Sequence, residues 1–467
     1  MMPAPHVENS VINAPTRTLR EPPLLPGLPV LGSTLPMLRD PLTAVLDGYK
    51  RLGPAFRVRV IGREMVILGG PEALRDVKDA GPNVLLAGPQ YAFFNRELGT
   101  DRFILAMDGP LHVEMRKLLS RGYGKQAALD ALGPMTRFAE RELLRWPQGE
   151  PIDVVLRMKE LVVRQLSLSL LGHDPGELLG DLQTFFTTSV RVYQYKALPR
   201  LALRLPRYRR AVDRLYDVTR EIVRAHQAHR AAGHARADGE SPLLDDLLGA
   251  RDAQGRAFEP HVHRAVVVGA ILAGLDTVAI TASFALYALL AHPEVLTRAR
   301  AEVDAIAAQG ELDAARLESA EYLHAVLLES LRKYPIMAGM ARVAGEDFEV
   351  NGCVVRRGRE VLLSPVVGHF LAKFFPEPER FDPTRMLAPR MEHRQKFAFA
   401  PFGIGSHTCL GAGFGEVELV ALLFSILKTL DLELSPKDYA LRVAIDVTRR
   451  PAHDFRVRVR GHRRAAV

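Results

Sequence analysis

The chain has 467 residues, and 48% of them are hydrophobic, which is enough for a sizeable core. Its two cysteines disfavour a disulfide-stabilised secreted fold and indicate a reducing, cytoplasmic environment. The formal net charge of +8 raises nucleic acid as a partner. The arginines are spread along the whole chain, however, and no recognisable nucleic-acid-binding motif accompanies them. We therefore expect no nucleic-acid partner.

The N-terminal segment is polar and lacks the apolar core of a signal peptide. We predict a disordered leader over residues 1–20, followed by a single domain over residues 21–467. The proline-rich run from Pro22 to Pro29 predicts a stiff, extended entry into that domain. No apolar stretch near the start reaches the roughly 20 residues that a membrane span requires, so we expect no membrane span.

The first third of the domain predicts a hairpin, a loop and then helices. Residues 55–60 and 64–68 flank a glycine turn and predict two antiparallel strands. Residues 83–107 combine glycines, a proline and aromatic residues, and they predict a long irregular loop. From residue 109 to about residue 247 the pattern is mostly helical.

One very long apolar helix is predicted from Pro260 to Ala291, where His292 and Pro293 end it. It is long enough to cross a membrane, but Arg264 and Asp276 interrupt it, so we interpret it as a buried core helix. Two further helices, at residues 293–309 and 320–333, and short strands within residues 341–363 follow.

The most informative feature is Cys409, which lies in the run APFGIGSHTCLG at residues 400–411. Glycines surround the thiol, and an apolar helix is predicted immediately after it. Free N–H groups and the positive end of the helix dipole both favour a thiolate there. A thiolate without a second cysteine nearby suits a metal that takes one sulfur ligand, and haem iron fits that description. The alternative is an inert, buried cysteine in a glycine turn.

Phe402, Gly405, His407, Cys409 and Gly411 together resemble the haem-binding signature of the cytochrome P450 family. The resemblance implies a mainly α fold with small β-sheets, the cytochrome P450 fold, and heme b (iron protoporphyrin IX) bound through Cys409. It also implies a monooxygenase that inserts one oxygen atom of O2 into an organic substrate.

The second motif is Ala273-Gly-Leu-Asp-Thr277 on the long helix. A glycine inside a helix costs about 1 kcal/mol relative to alanine, and an Asp-Thr pair in an apolar helix needs polar partners. One alternative is structural: Thr277 bonds back to a carbonyl and Asp276 forms an ion pair. The motif also resembles the P450 distal-helix signature. That resemblance implies that the helix widens at Gly274 to admit dioxygen, that Thr277 hydrogen-bonds it, and that Asp276 helps to deliver protons.

The third motif is Glu329-Ser-Leu-Arg332, in which the two charged residues share a helix face. It resembles the Glu-x-x-Arg pair of P450s, which a later arginine completes as a buried triad. Arg380 is the candidate for that arginine. The implied role is structural, because the triad holds the underside of the cysteine loop.

The haem propionates are carboxylates that need cationic or hydrogen-bonding partners when buried. By resemblance, the candidates are His112, Arg116, Arg342 and His407. The alternative for each is a solvated surface residue.

The substrate pocket implied by the resemblance is mostly apolar, with small residues beside the iron. Its predicted wall residues are Tyr91, Phe93, Phe94, Ala270, Ala273, Met337, Met340 and Val447. Ordinary core packing is the alternative for the two methionines. Such a pocket suits a hydrophobic small molecule (terpenoid, steroid, polyketide or fatty-acid-like) of secondary metabolism.

The expected electron donors are a ferredoxin and a ferredoxin reductase, docking on the basic stretch Arg116, Lys117, Arg121 and Lys125. The first alternative function is a P450 that uses peroxide, or that couples or rearranges its substrate. Peroxide-using P450s usually replace the Asp276-Thr277 pair, so its presence argues against that activity. The second alternative is a haem sensor or electron carrier, which an open distal pocket with a proton relay suits poorly.

Overall fold

A computed structural model describes residues 20–231, 241–252 and 254–463. About 56% of the described residues are helical and the sheets are small, as the sequence predicts. All but the last residue of the predicted leader lies outside the described residues. Arg20, which is described, already forms a bridge with Cys353.

The helices of the described chain are, in order, α1 (Thr34–Arg39), α2 (Pro41–Leu52), α3 (Gly70–Ala80), α4 (Gly88–Leu98), α5 (Gly109–Leu119), α6 (Lys125–Asp130), α7 (Leu132–Leu143), α8 (Val154–Leu171), α9 (Leu179–Tyr193), α10 (Pro206–Ala231), α11 (Pro242–Gly249), α12 (Pro260–Leu275), α13 (Thr277–Ala291), α14 (Pro293–Ala307), α15 (Ala314–Ser319), α16 (Glu321–Lys333) and α17 (Ala412–Thr429).

The strands are β1 (Ala55–Val60), β2 (Arg63–Gly69), β3 (Leu85–Leu86), β4 (Pro151–Asp153), β5 (Met340–Ala344), β6 (Phe348–Val350), β7 (Cys353–Val355), β8 (Glu360–Ser364), β9 (Leu430–Ser435), β10 (Val443–Ile445), β11 (Arg449–Pro451) and β12 (Arg456–His462). The largest sheet has the order β1-β2-β8-β5-β3, in which β2 and β8 run parallel. A second sheet has the order β4-β12-β9, and β6–β7 and β10–β11 are separate hairpins.

The predicted irregular loop at residues 83–107 is wrong, because its central part, residues 88–98, folds as α4. Pro89 lies in the first turn of that helix, where its missing N–H costs nothing. Gly99 ends the helix in the left-handed region, with a φ of 56°. The glycines and the proline therefore mark the ends of a helix and do not break it up.

The two long apolar helices lie mostly inside the protein. Residues Pro260–Ala291 and Gly405–Thr429 are long and apolar enough to cross a membrane, but 72% and 67% of their most apolar windows are buried within the fold. The first was predicted as one helix, whereas Asp276 separates α12 from α13 with φ −108° and ψ −36°.

A buried charged network lies between α16 and the segment that follows His369. Arg332 donates to both carboxylate oxygens of Glu329, at 2.7 and 2.8 Å, and neither side chain is accessible to solvent. The arginine that completes the network is Arg385, which donates to Glu329 at 3.1 Å and to Glu392 at 2.8 Å. The prediction of Arg380 was wrong, because its side chain is 66% exposed and only its carbonyl meets Arg332.

The network reaches the cysteine loop through His369. Arg332 donates to the His369 carbonyl at 2.9 Å, and the His369 ring accepts the N–H of Ala400, the first residue of the cysteine run. Gly368 permits this contact, because a Cβ there would lie 2.5 Å from the Ala398 carbonyl oxygen. Two hydrogen bonds, both made by His369, thus connect the buried ion pair to the loop that carries Cys409.

We predict that Arg385→Met destabilises the protein by about 3 kcal/mol or more, because it removes one partner from a buried charge network. The matched control is Arg380→Met, whose exposed side chain makes only a 3.7 Å contact with Glu377. The control is expected to change the free energy of unfolding by about 0.5 kcal/mol or less. Equal effects of the two substitutions in urea unfolding would contradict the assignment of Arg385.

We further predict that His369 makes stability pH-dependent. Burial, followed by the charge of Arg332, lowers the pKa of His369 from 6.5 to about 3. As the pH falls, the unfolded chain therefore takes up a proton that the folded chain excludes, and stability is lost from about pH 6.5 towards pH 3. His369→Gln keeps an acceptor for Ala400 and removes the titration.

The difference in unfolding free energy between pH 7 and pH 5 is expected to be about 2 kcal/mol smaller in His369→Gln than in the wild type. His453→Gln, at an exposed histidine, is the control and is expected to keep the wild-type difference. An unchanged pH dependence in His369→Gln would show that the His369 ring is not held neutral by the fold.

Candidate active site

The loop that carries Cys409 is a tight glycine turn. Gly403 and Gly405 have φ angles of 78° and 76°, in the left-handed region that favours glycine. The Cys409 N–H donates to the Phe402 carbonyl at 2.9 Å, and α17 begins three residues later. The Cys409 side chain is exposed, so the alternative of a cysteine buried in the core does not describe it.

Two electrostatic effects compete at the thiol. Cys409 is accessible, but protein atoms surround it on most sides, and this burial raises the pKa of the thiol. The Gly411 N–H and the charge of Arg116 oppose the increase without overcoming it. The loop alone therefore leaves the thiol protonated at neutral pH, and a bound cation must supply the rest of the stabilisation that a thiolate needs.

Two of the predicted propionate partners lie together. The ring of His112 stacks on that of His407, with centroids 4.1 Å apart, and His407 contacts Asp108 at 2.9 Å. Burial, followed by the neighbouring His407 and Arg116, lowers the pKa of His112 to about 4. His112 is therefore neutral at physiological pH and can offer a hydrogen bond but no charge. His407 keeps one ring nitrogen that Asp108 does not engage.

The two predicted arginines differ in their partners. Arg116 donates to the Thr408 carbonyl at 2.7 Å, beside Cys409. Arg342 on β5 is 6% exposed and donates to its neighbour Ala341 and to the sulfur of Met340. Within the described chain, no carboxylate oxygen lies within ion-pair distance of Arg342. A buried guanidinium without a carboxylate fits an anionic cofactor group, so these residues suit a haem.

The distal motif makes the contacts of its structural alternative. Thr277 donates its hydroxyl to the Ala273 carbonyl at 2.5 Å, and Lys159 of α8 contacts Asp276 at 2.5 Å. Gly274 faces α8, because a Cβ there would lie 1.9 Å from the Leu166 side chain. The room expected at Gly274 is therefore taken by α8. Ala273 is exposed, although most of the side chains that surround it on α12 are buried.

The predicted pocket residues fall into two groups. Phe93, Phe94 and Ala270 are 6%, 2% and 1% exposed, so they belong to the core and not to an open wall. Phe93 stacks on Tyr193 of α9, which shows that these aromatic rings fasten α4 to α9.

The second group is at least partly accessible. Its members are Tyr91, Ala273, Met337, Met340 and Val447. A Cβ at Gly403 would lie 3.0 Å from the Met340 methyl, so Met340 lies against the cysteine loop. The Tyr91 hydroxyl lies close to Arg342, where hydrogen bonding opposes the fall in pKa that burial imposes on the guanidinium.

The predicted docking stretch is less basic than its sequence suggests. Arg121 forms a two-bond ion pair with Asp246, and Lys125 lies 3.5 Å from Glu318. Arg116 turns inward to the cysteine loop. Lys117, on α5, keeps its ammonium free of ion pairs within the described chain.

Sequence reasoning missed Lys159, His369 and Arg385. Each is a charged or polar residue that stands next to an apolar one in the sequence. Their partners lie 117, 31 and 56 residues away, however, and spacing alone does not identify them.

The model of the family described as cytochrome P450 matches residues 22–449. The chain is 30% identical to the Mycobacterium tuberculosis protein named cytochrome P450 135B1, over 94% of this chain and 92% of the relative. It is 28% identical to cyclooctat-9-en-7-ol 5-monooxygenase of Streptomyces melanosporofaciens, over 86% and 87% of the two chains. Among solved structures, retinoic acid-bound cyanobacterial CYP120A1 superposes with a TM-score of 0.80 at 23% identity, over 95% and 99% of the two chains.

The matched region contains the Cys409 loop, the distal motif and the buried Glu329–Arg332 pair. Haem and O2 are the cofactor and co-substrate that go with this family, and its activity is that of an oxidoreductase. The chain belongs to the cytochrome P450 family and is a haem monooxygenase.

Proposed function

We propose that this enzyme oxidises a hydrophobic natural product, of a terpenoid, steroid, polyketide or fatty-acid-like class, with electrons from a ferredoxin and its reductase. The observation that carries the proposal is the exposed Cys409 thiol in a glycine turn at the start of α17. The apolar side chains of Met337, Met340 and Val447 support a hydrophobic substrate. The relative named cyclooctat-9-en-7-ol 5-monooxygenase supports the terpenoid class.

When bound, the haem supplies the activation of dioxygen. Cys409 is the proposed iron ligand, and the pKa increase from burial is offset by coordination. Arg342 is the proposed main partner of the propionates, because it is a buried cation with no carboxylate at ion-pair distance among the described residues. Arg116, His112 and His407 would add hydrogen bonds at the same edge.

The proposed role of Thr277 is to hydrogen-bond dioxygen, and that of Asp276 is to help to deliver protons. In their present contacts, the Thr277 hydroxyl donates to Ala273 and Asp276 is held by Lys159. The Thr277 side chain must rotate before its hydroxyl can donate to a group outside its own helix. Asp276 must loosen its ion pair with Lys159 before its carboxylate can pass on a proton from solvent. Lys159 is therefore a positioning residue, since its ion pair fixes the position of the Asp276 carboxylate between turnovers.

The ferredoxin partner is proposed from charge. Acidic surfaces dock on basic ones, and Lys117 offers a cation on α5 that forms no ion pair with any described residue. Arg121 would add its charge only if it divided its contacts between Asp246 and a carboxylate of the partner. The reaction is proposed to take place in the cytoplasm, which agrees with the absence of a disulfide between Cys353 and Cys409.

We predict that Cys409→Ser abolishes the red-shifted absorption band of the reduced, carbon monoxide-bound protein, because that band requires a thiolate ligand. The matched control is Cys353→Ser, at the other free cysteine of the described chain, and it is expected to keep the band. Loss of the band in both variants, or in neither, would refute Cys409 as the ligand.

The substrate class can be tested with a spectral-shift screen of apolar compounds, followed by mass analysis of the products. Gain of one oxygen atom supports the proposal. Turnover that is faster with hydrogen peroxide than with NADH and redox partners would favour the peroxygenase. A coupled or rearranged product would indicate the other enzymatic alternative. A spin-state shift without any product would favour a sensor.

We predict that Thr277→Ala lowers product formed per NADH about tenfold or more and raises the release of hydrogen peroxide, because the hydroxyl that hydrogen-bonds dioxygen is lost. Thr297→Ala is the matched control, since the Thr297 hydroxyl makes the same bond to a carbonyl four residues earlier, on α14. It is expected to behave as the wild type. An equal yield of product per NADH in Thr277→Ala and the wild type would show that Thr277 is a purely structural residue.

A further inference from the structure

One face of the protein exposes an unusual number of large apolar side chains. Its N-terminal apolar patch consists of Leu28, Val30, Leu31, Leu35, Leu38 and Ile61, which are 52%, 85%, 45%, 55%, 60% and 65% exposed. The patch is continuous: Leu28 bridges Gly32, and the Ile61 N–H donates to Thr34 at 2.8 Å. Isolated exposed leucines are ordinary, but a contiguous group of six marks an interaction surface.

A second exposed apolar group lies in the connection between α9 and α10. It consists of Tyr195, Leu198, Leu201 and Leu205, which are 47%, 36%, 64% and 54% exposed. These side chains alternate with basic residues along a segment whose only regular structure is a short 3₁₀ helix at Arg200–Arg204. We call this group the α9–α10 patch.

The β10–β11 hairpin joins the two patches into one face. The Tyr195 hydroxyl donates to the Val447 carbonyl at 3.0 Å. Two residues further along, Arg449 lies 3.6 Å from Asp40, at the end of α1. The α9–α10 patch and the residue that follows α1 of the N-terminal patch therefore contact points only two residues apart on the chain, which span about 7 Å at most. Val443 of the same hairpin adds another exposed apolar side chain.

The charge of this face is predominantly positive, although Asp40 and Asp446 form ion pairs on it. The sequence at residues 191–210 contains no acidic residue, and its seven basic residues are Arg191, Lys196, Arg200, Arg204, Arg207, Arg209 and Arg210. Arg191 pairs with Asp446, but all seven are exposed. Residues 22–39 also lack an acidic side chain, and Arg39 and Arg63 lie at the edges of the N-terminal patch.

We propose that this face docks reversibly on the surface of an anionic phospholipid bilayer. Exposed leucines flanked by arginines match both parts of such a surface, because the leucines enter the acyl boundary while the arginines meet the phosphates. A second copy of the chain fits poorly, since it would bring cation against cation. Nucleic acid would use the arginines and leave ten apolar side chains in water. The binding is peripheral and needs no membrane span.

The test is flotation of the haem-loaded protein with vesicles. We expect binding to vesicles that contain phosphatidylglycerol, little binding to pure phosphatidylcholine, and weaker binding as salt is raised. The triple variant Arg200→Glu, Arg204→Glu, Arg207→Glu is expected to bind about tenfold or more weakly. Leu35→Ser with Leu38→Ser is expected to remove the binding that persists at high salt.

The matched control reverses three exposed arginines on and just after α7, namely Arg137, Arg141 and Arg145. It changes the net charge equally and is expected to bind as the wild type. Retention of the carbon monoxide spectrum confirms that each variant is folded. Failure of the wild-type protein to float, an equal loss in the control, or a dimer in solution that covers the patches would each overturn the proposal.

Discussion

The active site depends on a charged network that contains no catalytic group. Glu329 and Arg332 lie fully buried on α16, and each would cost several kcal/mol if it lost its partner. Arg385 completes the network, and His369 carries it to Ala400, where the cysteine run begins. These hydrogen bonds and ion pairs are directional, so the network holds the residues beneath the cysteine loop in place. It thereby sets the position of the Cys409 thiol.

The opposite side of the site is set by the contact between α8 and α12. Gly274 lets Leu166 approach closely, and Lys159 of α8 holds Asp276 where the helix is interrupted. The interruption at Asp276 and the back-bond of Thr277 place polar groups next to the exposed Ala273. The glycine therefore serves helix packing, and the accessible position is the alanine one residue earlier.

The parts of the site that local chemistry dictates could be predicted from the sequence. The glycine loop of Cys409 and the Glu329–Arg332 pair depend on residues only a few positions apart, and both have the expected form. Arg385 could not be distinguished from Arg380, because a turn between residues 377 and 385 decides which side chain points inward. Phe93 and Phe94 were assigned to the pocket wall from their type, whereas packing of α4 on α9 buries them.

The account rests on a thiolate from Cys409 bound to iron, and X-ray absorption at the iron edge of the resting haem protein tests it most directly. The account predicts one sulfur atom among the nearest neighbours of the iron, and its loss in Cys409→Ser. A first shell of nitrogen and oxygen alone in the wild-type protein would contradict it.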